Sequence, residues 1–189
     1  MSYQSFEQVL QKCHTEEKEF WRVILEDDMA ERNVSEEDSM EHMRVTWDAM
    51  LLAAATYEGN LNSSSGLVEE YIHSAVTESL CGEYVDTCIA GALQMGESNA
   101  CMKRIVAAPT AGACGVLPAV LVPYFQKRCK DTDKILKAMY VAAGIGQIIA
   151  TRSSISGAAG GCQAEIGAAS SMAAGALVYL QGGDCTQIA

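Results

Sequence analysis

Residues Ser153-Ser154-Ile155-Ser156-Gly157-Ala158-Ala159-Gly160-Gly161-Cys162-Gln163-Ala164-Glu165 constrain this chain more than any other stretch. They are rich in Ser and Gly, nearly without charge, and open at once into an Ala-rich run. Glycine lets backbone approach a ligand or another segment closely. The N–H groups that open a helix attract anions. A cysteine thiolate can hold a soft metal. These three features within one stretch predict a site placed at the start of a helix.

The helices that would carry such a site are legible from spacing. Ser5 with Gln8 reads as a capping box, and Phe6, Val9, Leu10, Cys13, Phe20, Trp21 and Ile24 then recur at helical spacing. Glu17 interrupts the stripe, and the spacing predicts one helix to about Asp28. Ser35-Glu36-Glu37-Asp38 reads as the start of a second helix, with Met40, Met43, Trp47, Met50, Leu51 and Ala54 as its core face. Further helices are predicted over about 69–80, 84–101, the run from Pro118 to Phe125, the run after a Thr132 cap, and Cys162 to about Leu180. Gly144 and Gly146 fall inside one of them, at a cost of roughly 1 kcal/mol each against Ala, which predicts close packing against another backbone. No alternating run bounded by turns reads as a strand. The expected fold is therefore all-α: one multi-helix domain over residues 1–189, with Gly/Ser-rich loops at helix N-termini.

Composition excludes several classes. A net charge of −11 disfavours non-specific nucleic-acid binding. The acidic excess sits in the first 50 residues, whereas residues 141–189 carry only Arg152, Glu165 and Asp184 as charges. The first third is therefore expected to be solvated and the last third buried or covered. The apolar runs 138–150 and 172–180 are shorter than the roughly 18–20 residues that span a bilayer. Met1 leads into polar residues and not a secretory leader. The eight cysteines form no CxxC pair and no zinc spacing, so most read as reduced thiols packed as small apolar groups in a cytosolic protein.

Two further loops resemble the first in chemistry. Ser63-Ser64-Ser65-Gly66 repeats the S-x-S-G pattern of Ser154-Ile155-Ser156-Gly157, and Pro109-Thr110-Ala111-Gly112-Ala113-Cys114-Gly115 again places a hydroxyl and bare backbone before a helix. If the three loops meet, they make a polar pocket for a carboxylate or phosphate, with Cys162 in its wall. The residues leave three roles open for Cys162: metal ligand, nucleophile, or packed thiol. His14, His42 and His73 lie away from all three loops, so no base is evident for a nucleophile.

Arg104 to Gly112, Cys114 to Pro118 and Ser154 to Glu165 together resemble the α chain of the iron–sulfur L-serine dehydratases, and the resemblance runs from about residue 10 to the end. It implies a cytoplasmic bacterial lyase with a helical catalytic domain. That lyase converts L-serine to pyruvate and ammonia, with a [4Fe–4S] cluster as Lewis acid. It implies Cys162 as a cluster ligand, and Ser63, Ser65, Gly66, Thr110, Gly112, Ser154, Ser156 and Gly157 as substrate-pocket residues. The two remaining cluster cysteines of the family would lie beyond Gly182-Gly183 and past Ala189, so the sequence is expected to be a C-terminally incomplete α chain. A regulatory β subunit or domain is the implied partner in an oligomer, and a histidine from it is the implied base. The sequence departs from the family after Val68, where Glu69-Glu70 stand in place of a Gly-Gly-Asp and no lysine follows before Lys103. That departure implies a second reading: a non-catalytic homologue that binds a small carboxylate and assembles with a partner chain.

Overall fold

The structure, a computed structural model, describes residues 3–66, 68 and 81–189, and every described element is helical. The predicted helix over about 69–80, the Glu69-Glu70 departure and His73 lie outside the described residues. In chain order the helices are α1 (Phe6–Glu16), α2 (Phe20–Arg32), α3 (Glu36–Ala55) and α4 (Glu83–Ala100). They are followed by α5 (Val116–Tyr124), α6 (Thr132–Arg152), α7 (Gly157–Gly160), α8 (Cys162–Leu180) and α9 (Cys185–Ile188). None of the described helices is long and apolar enough to cross a membrane.

The first predicted helix is two. Glu17 adopts a left-handed conformation (φ 50°), and the N–H groups of Glu17 and Lys18 both reach back to the Cys13 carbonyl. This double return closes α1 and turns the chain before Phe20. The apolar stripe continues across the break because both helices face the same core, so periodicity alone could not reveal it. The cap at Ser5 is also partial. Its hydroxyl accepts from the Gln8 N–H at 3.4 Å, but the Gln8 side chain takes the N–H of Gln4, one residue further back. Asp131, not Thr132, caps α6, accepting from the Lys134 N–H at 3.1 Å.

α6 is the central element. Ile135, Leu136, Tyr140, Val141 and Ala142 are buried along it, α8 covers one side and α2 another. Gly144 and Gly146 are where these neighbours approach. A Cβ at Gly144 would lie 2.6 Å from Ile24 Cδ1, and one at Gly146 would lie 2.7 Å from the Met172 sulfur. The neighbours at the two glycines are therefore not another backbone, as expected, but side chains of α2 and α8 that fill the space a Cβ would take. α3 joins α2 and α6 through a buried hydroxyl chain: Ser39 Oγ donates to Asp28 at 2.5 Å and lies 2.6 Å from the Tyr140 hydroxyl.

The charge asymmetry of the sequence is only partly reflected in burial. The acidic N-terminal helices contribute Phe20, Val23, Leu25 and Trp47 to the core, each fully buried, and Asp27 of α2 is buried as well. In the last third, the start of α8 and the loop before it are exposed, despite their small uncharged residues.

Ser35 caps α3 on both sides, accepting the Asp38 N–H at 3.1 Å and donating to the Asp38 carboxylate at 2.7 Å. Ser35→Ala is expected to cost about 0.5–2 kcal/mol, the usual range for losing such a cap. A lowered urea midpoint with an unchanged m-value would register it.

Candidate functional site

α4 and α8 each present a carboxylate to a loop, and those carboxylates organise the site. Glu97, near the end of α4, is fully buried. It accepts from the Ser63 N–H, and its second oxygen accepts from the Ser63 hydroxyl at 3.0 Å. A buried carboxylate is tolerated when donors surround it, and here the donors come from the first S-x-S-G loop. Ser65 Oγ lies 3.3 Å from Ser63 Oγ, and Gly66 (φ 64°) closes the turn with its N–H on the Ser63 carbonyl at 2.9 Å. Two residues along α4 from Glu97, the Asn99 amide donates to the Ala111 carbonyl at 3.0 Å. One end of one helix therefore holds both the first and the second loop.

The second and third loops meet at Glu165, in the first turn of α8. The Thr110 hydroxyl donates to Glu165 Oε1. A Cβ placed on Gly112 would lie 2.6 Å from Oε2 and 2.7 Å from Oε1, and one on Gly157 would lie 2.6 Å from Oε2. A side chain at either position would displace the carboxylate from where it stands. Thr110, Gly112 and Gly157, all expected to face a substrate carboxylate, thus converge on a carboxylate of the protein itself.

Ser154 and Ser156 organise the third loop locally. Ser154 Oγ accepts from the Ser156 N–H at 3.3 Å, and Ser156 Oγ accepts from the Ala158 N–H at 3.2 Å. Ser156 is exposed, and since its oxygen accepts, its proton can be offered to an incoming anion. The hydroxyl protons of Thr110 and Ser63, by contrast, point at Glu165 and Glu97.

Gly161 (φ 82°) turns the chain into α8 and delivers Cys162 as its first residue. Cys162 is exposed and is not packed among the described residues. Cys114 is the opposite case: it is 1% exposed, in a small cluster with Ala53 and Met95. Burial pushes its thiol above the ordinary value, and the Glu165 carboxylate adds to the effect. Cys114 is thus a packed group of the kind expected for most of the cysteines, as is Cys13. All eight cysteines are free thiols. Among the described residues, no three His, Cys, Asp or Glu side chains stand close enough together to hold a metal ion. A single thiol cannot hold a cubane cluster, so these residues fit one ligand of such a group and not a ligand set.

Sequence reasoning missed Glu97 and Glu165 as the groups that hold the loops. Glu165 was visible as the one acidic residue in the third motif; its pairing with residues 55 positions earlier had no local signal. The glycine of the second motif at 115 was also unexplained by sequence. A Cβ there would lie 2.8 Å from the Ala92 carbonyl oxygen, so Gly115 sets the approach of α5 to α4.

Comparison with known proteins places these motifs in context. The chain matches the family model described as serine dehydratase alpha chain over residues 15–189. It is 32% identical over 188 residues to the L-serine dehydratase alpha chain of Peptoniphilus asaccharolyticus, covering 95% of this chain and 64% of that one. It is 34% identical over 174 residues to a probable L-serine dehydratase alpha chain of Bacillus subtilis (strain 168), covering 88% of this chain and 57% of that protein. Over 98 residues it is 47% identical to L-serine dehydratase TdcG of Escherichia coli (strain K12), which covers 51% of this chain and 22% of that protein. The chain thus spans somewhat under two thirds of the length of the first two relatives.

Proposed function

Because the chain belongs to the serine dehydratase alpha chain family, we propose that it is part of a cytoplasmic lyase that deaminates L-serine to pyruvate and ammonia. The observation that carries this reading is the meeting of the second and third loops at Glu165, three residues after an exposed Cys162. Motifs far apart in the chain meet at one carboxylate, close in sequence to a free thiol. Deamination of serine requires its carboxylate to be held, its Cα proton removed and its hydroxyl expelled. The exposed hydroxyls of Ser156 and Ser65 and the loop N–H groups suit the first task, because donors fixed in place stabilise charge without reorganising.

In this reading Cys162 supplies one of three cysteine ligands to a [4Fe–4S] cluster. Since the described residues do not form a ligand set, the other two ligands come from outside them. The L-serine dehydratase relatives named as alpha chains point to a β chain as partner, in an oligomer.

The test is an anaerobic preparation reconstituted with iron and sulfide, supplied with the β chain and the remaining length that the relatives carry. Pyruvate formed from L-serine supports the proposal. Binding of serine without turnover, under the same conditions, would instead identify a non-catalytic homologue.

A further inference from the structure

Glu165 has a surrounding that a free catalytic carboxylate would not need. Oε1 takes the Thr110 hydroxyl, and both oxygens lie against Gly112, with Oε2 also against Gly157. Neither a lysine nor an arginine among the described residues pairs with it, so the contact is made by one hydroxyl and two bare stretches of backbone. A general base needs one oxygen open towards the proton it takes. Here Oε1 already takes the Thr110 hydroxyl, and Oε2 stands beside Gly112 and Gly157.

We propose that Glu165 is a positioning residue: its carboxylate clasps the Thr110–Gly112 loop to the turn that presents Cys162, and so fixes the two halves of the serine site against each other. This rests on the serine-deamination reading for its functional consequence, but the clasp itself is a property of the chain alone. Three features argue for it. The contact links residues 55 positions apart and joins the second loop to the first turn of α8. A Cβ at Gly112 or Gly157 would displace the carboxylate from where it stands. Cys114, buried at the end of the Ala111–Ala113 turn that the clasp holds, is raised in pKa by burial first and by the Glu165 charge as well.

The burial of Cys114 gives a readout independent of activity. The chain is alkylated in its native state with iodoacetamide and each cysteine is followed by peptide mass spectrometry. In the unsubstituted chain Cys162 is modified early and Cys114 late. Loosening the clasp allows local opening, and Glu165→Ala is expected to speed Cys114 modification about tenfold or more while Cys13, buried in the main core, keeps its rate. Thr110→Val removes the donor alone and is expected to do the same, with Thr110→Ser restoring the slow rate. Thr110→Val at the unsubstituted rate overturns the proposal, whether or not the Glu165 variant folds.

The functional arm uses the reconstituted enzyme described above. Glu165→Ala is expected to lower kcat about 100-fold, the scale of a small misplacement near the chemistry. Glu165→Gln still accepts the Thr110 proton and is expected to recover about tenfold of that loss. Equal losses in Glu165→Ala and Glu165→Gln would mean that the charge itself acts on the substrate, and the positioning role would fall. Absence of pyruvate from the unsubstituted enzyme would remove the serine reading, while the alkylation arm would still decide the clasp.

Discussion

Cys162→Ala is expected to abolish pyruvate formation by the reconstituted enzyme and to leave the fold untouched. Cys162 is exposed at the first position of α8, and its side chain makes no hydrogen bond or core contact among the described residues. Substitutions at such places change stability by no more than about 0.5 kcal/mol, so the thermal midpoint should stay within measurement error. The loss of activity should nonetheless exceed the roughly 10–100-fold that follows removal of an outer-shell partner of a metal ligand. A thermal melt and a pyruvate assay on the same preparation check both halves. A variant that keeps its activity would exclude Cys162 from the site. A variant that loses its midpoint would mean that the thiol supports the turn after Gly161.

That separation of roles is unusual within the chain, because most of its motif residues serve packing and position together. Gly115 belongs to a motif shared with the family resemblance, yet its visible task is to let the Ala92 carbonyl approach. Ser63 belongs to an S-x-S-G pattern, yet both its N–H and its hydroxyl are directed at Glu97. A sequence pattern recurs wherever geometry is demanding, and it does not say whether a ligand or the protein's own side chain makes the demand.

Helix identity was legible in α3 and α6 because their apolar residues recur at one spacing, and in α8 as a run rich in small residues. The break between α1 and α2 was not, since Glu17 in a left-handed turn keeps the stripe on one face. Nor was the cap of α6, where Asp131 and Thr132 are equally good candidates by residue type. The glycines were legible as close approaches but their partners were not. Gly144 and Gly112 look alike in sequence, yet one meets the apolar Ile24 and the other a carboxylate. Partner identity depends on which helix packs across, and that is set by long-range contacts that spacing does not encode. The exposed loop before α8 shows the same limit, since an uncharged small-residue run reads as buried whether or not anything covers it.

The joint between α2 and α6 offers a direct measure of how tightly such a partner is specified. Ile24 is 4% exposed and fills the space above Gly144, with Phe20 beside it. Ile24→Ala alone is expected to cost about 2–5 kcal/mol, the transfer term plus the cavity left behind. That is a large share of the roughly 5–15 kcal/mol that holds a domain folded. Gly144→Ala alone has two opposed effects. It gains about 1 kcal/mol of helix propensity. It also forces a methyl to within 2.6 Å of Ile24 Cδ1 and Cγ1, an overpacking that typically costs about 1–3 kcal/mol. In the double variant the new methyl enters the space Ile24 has vacated, so the clash is gone and part of the cavity is filled. The double variant should therefore be more stable than the sum of the singles predicts, by about 1–3 kcal/mol, as residues in contact allow. Urea unfolding of the four chains closes the cycle. Strict additivity would mean that α2 and α6 shift apart to absorb the methyl, and that the small residue at 144 is not what sets their separation.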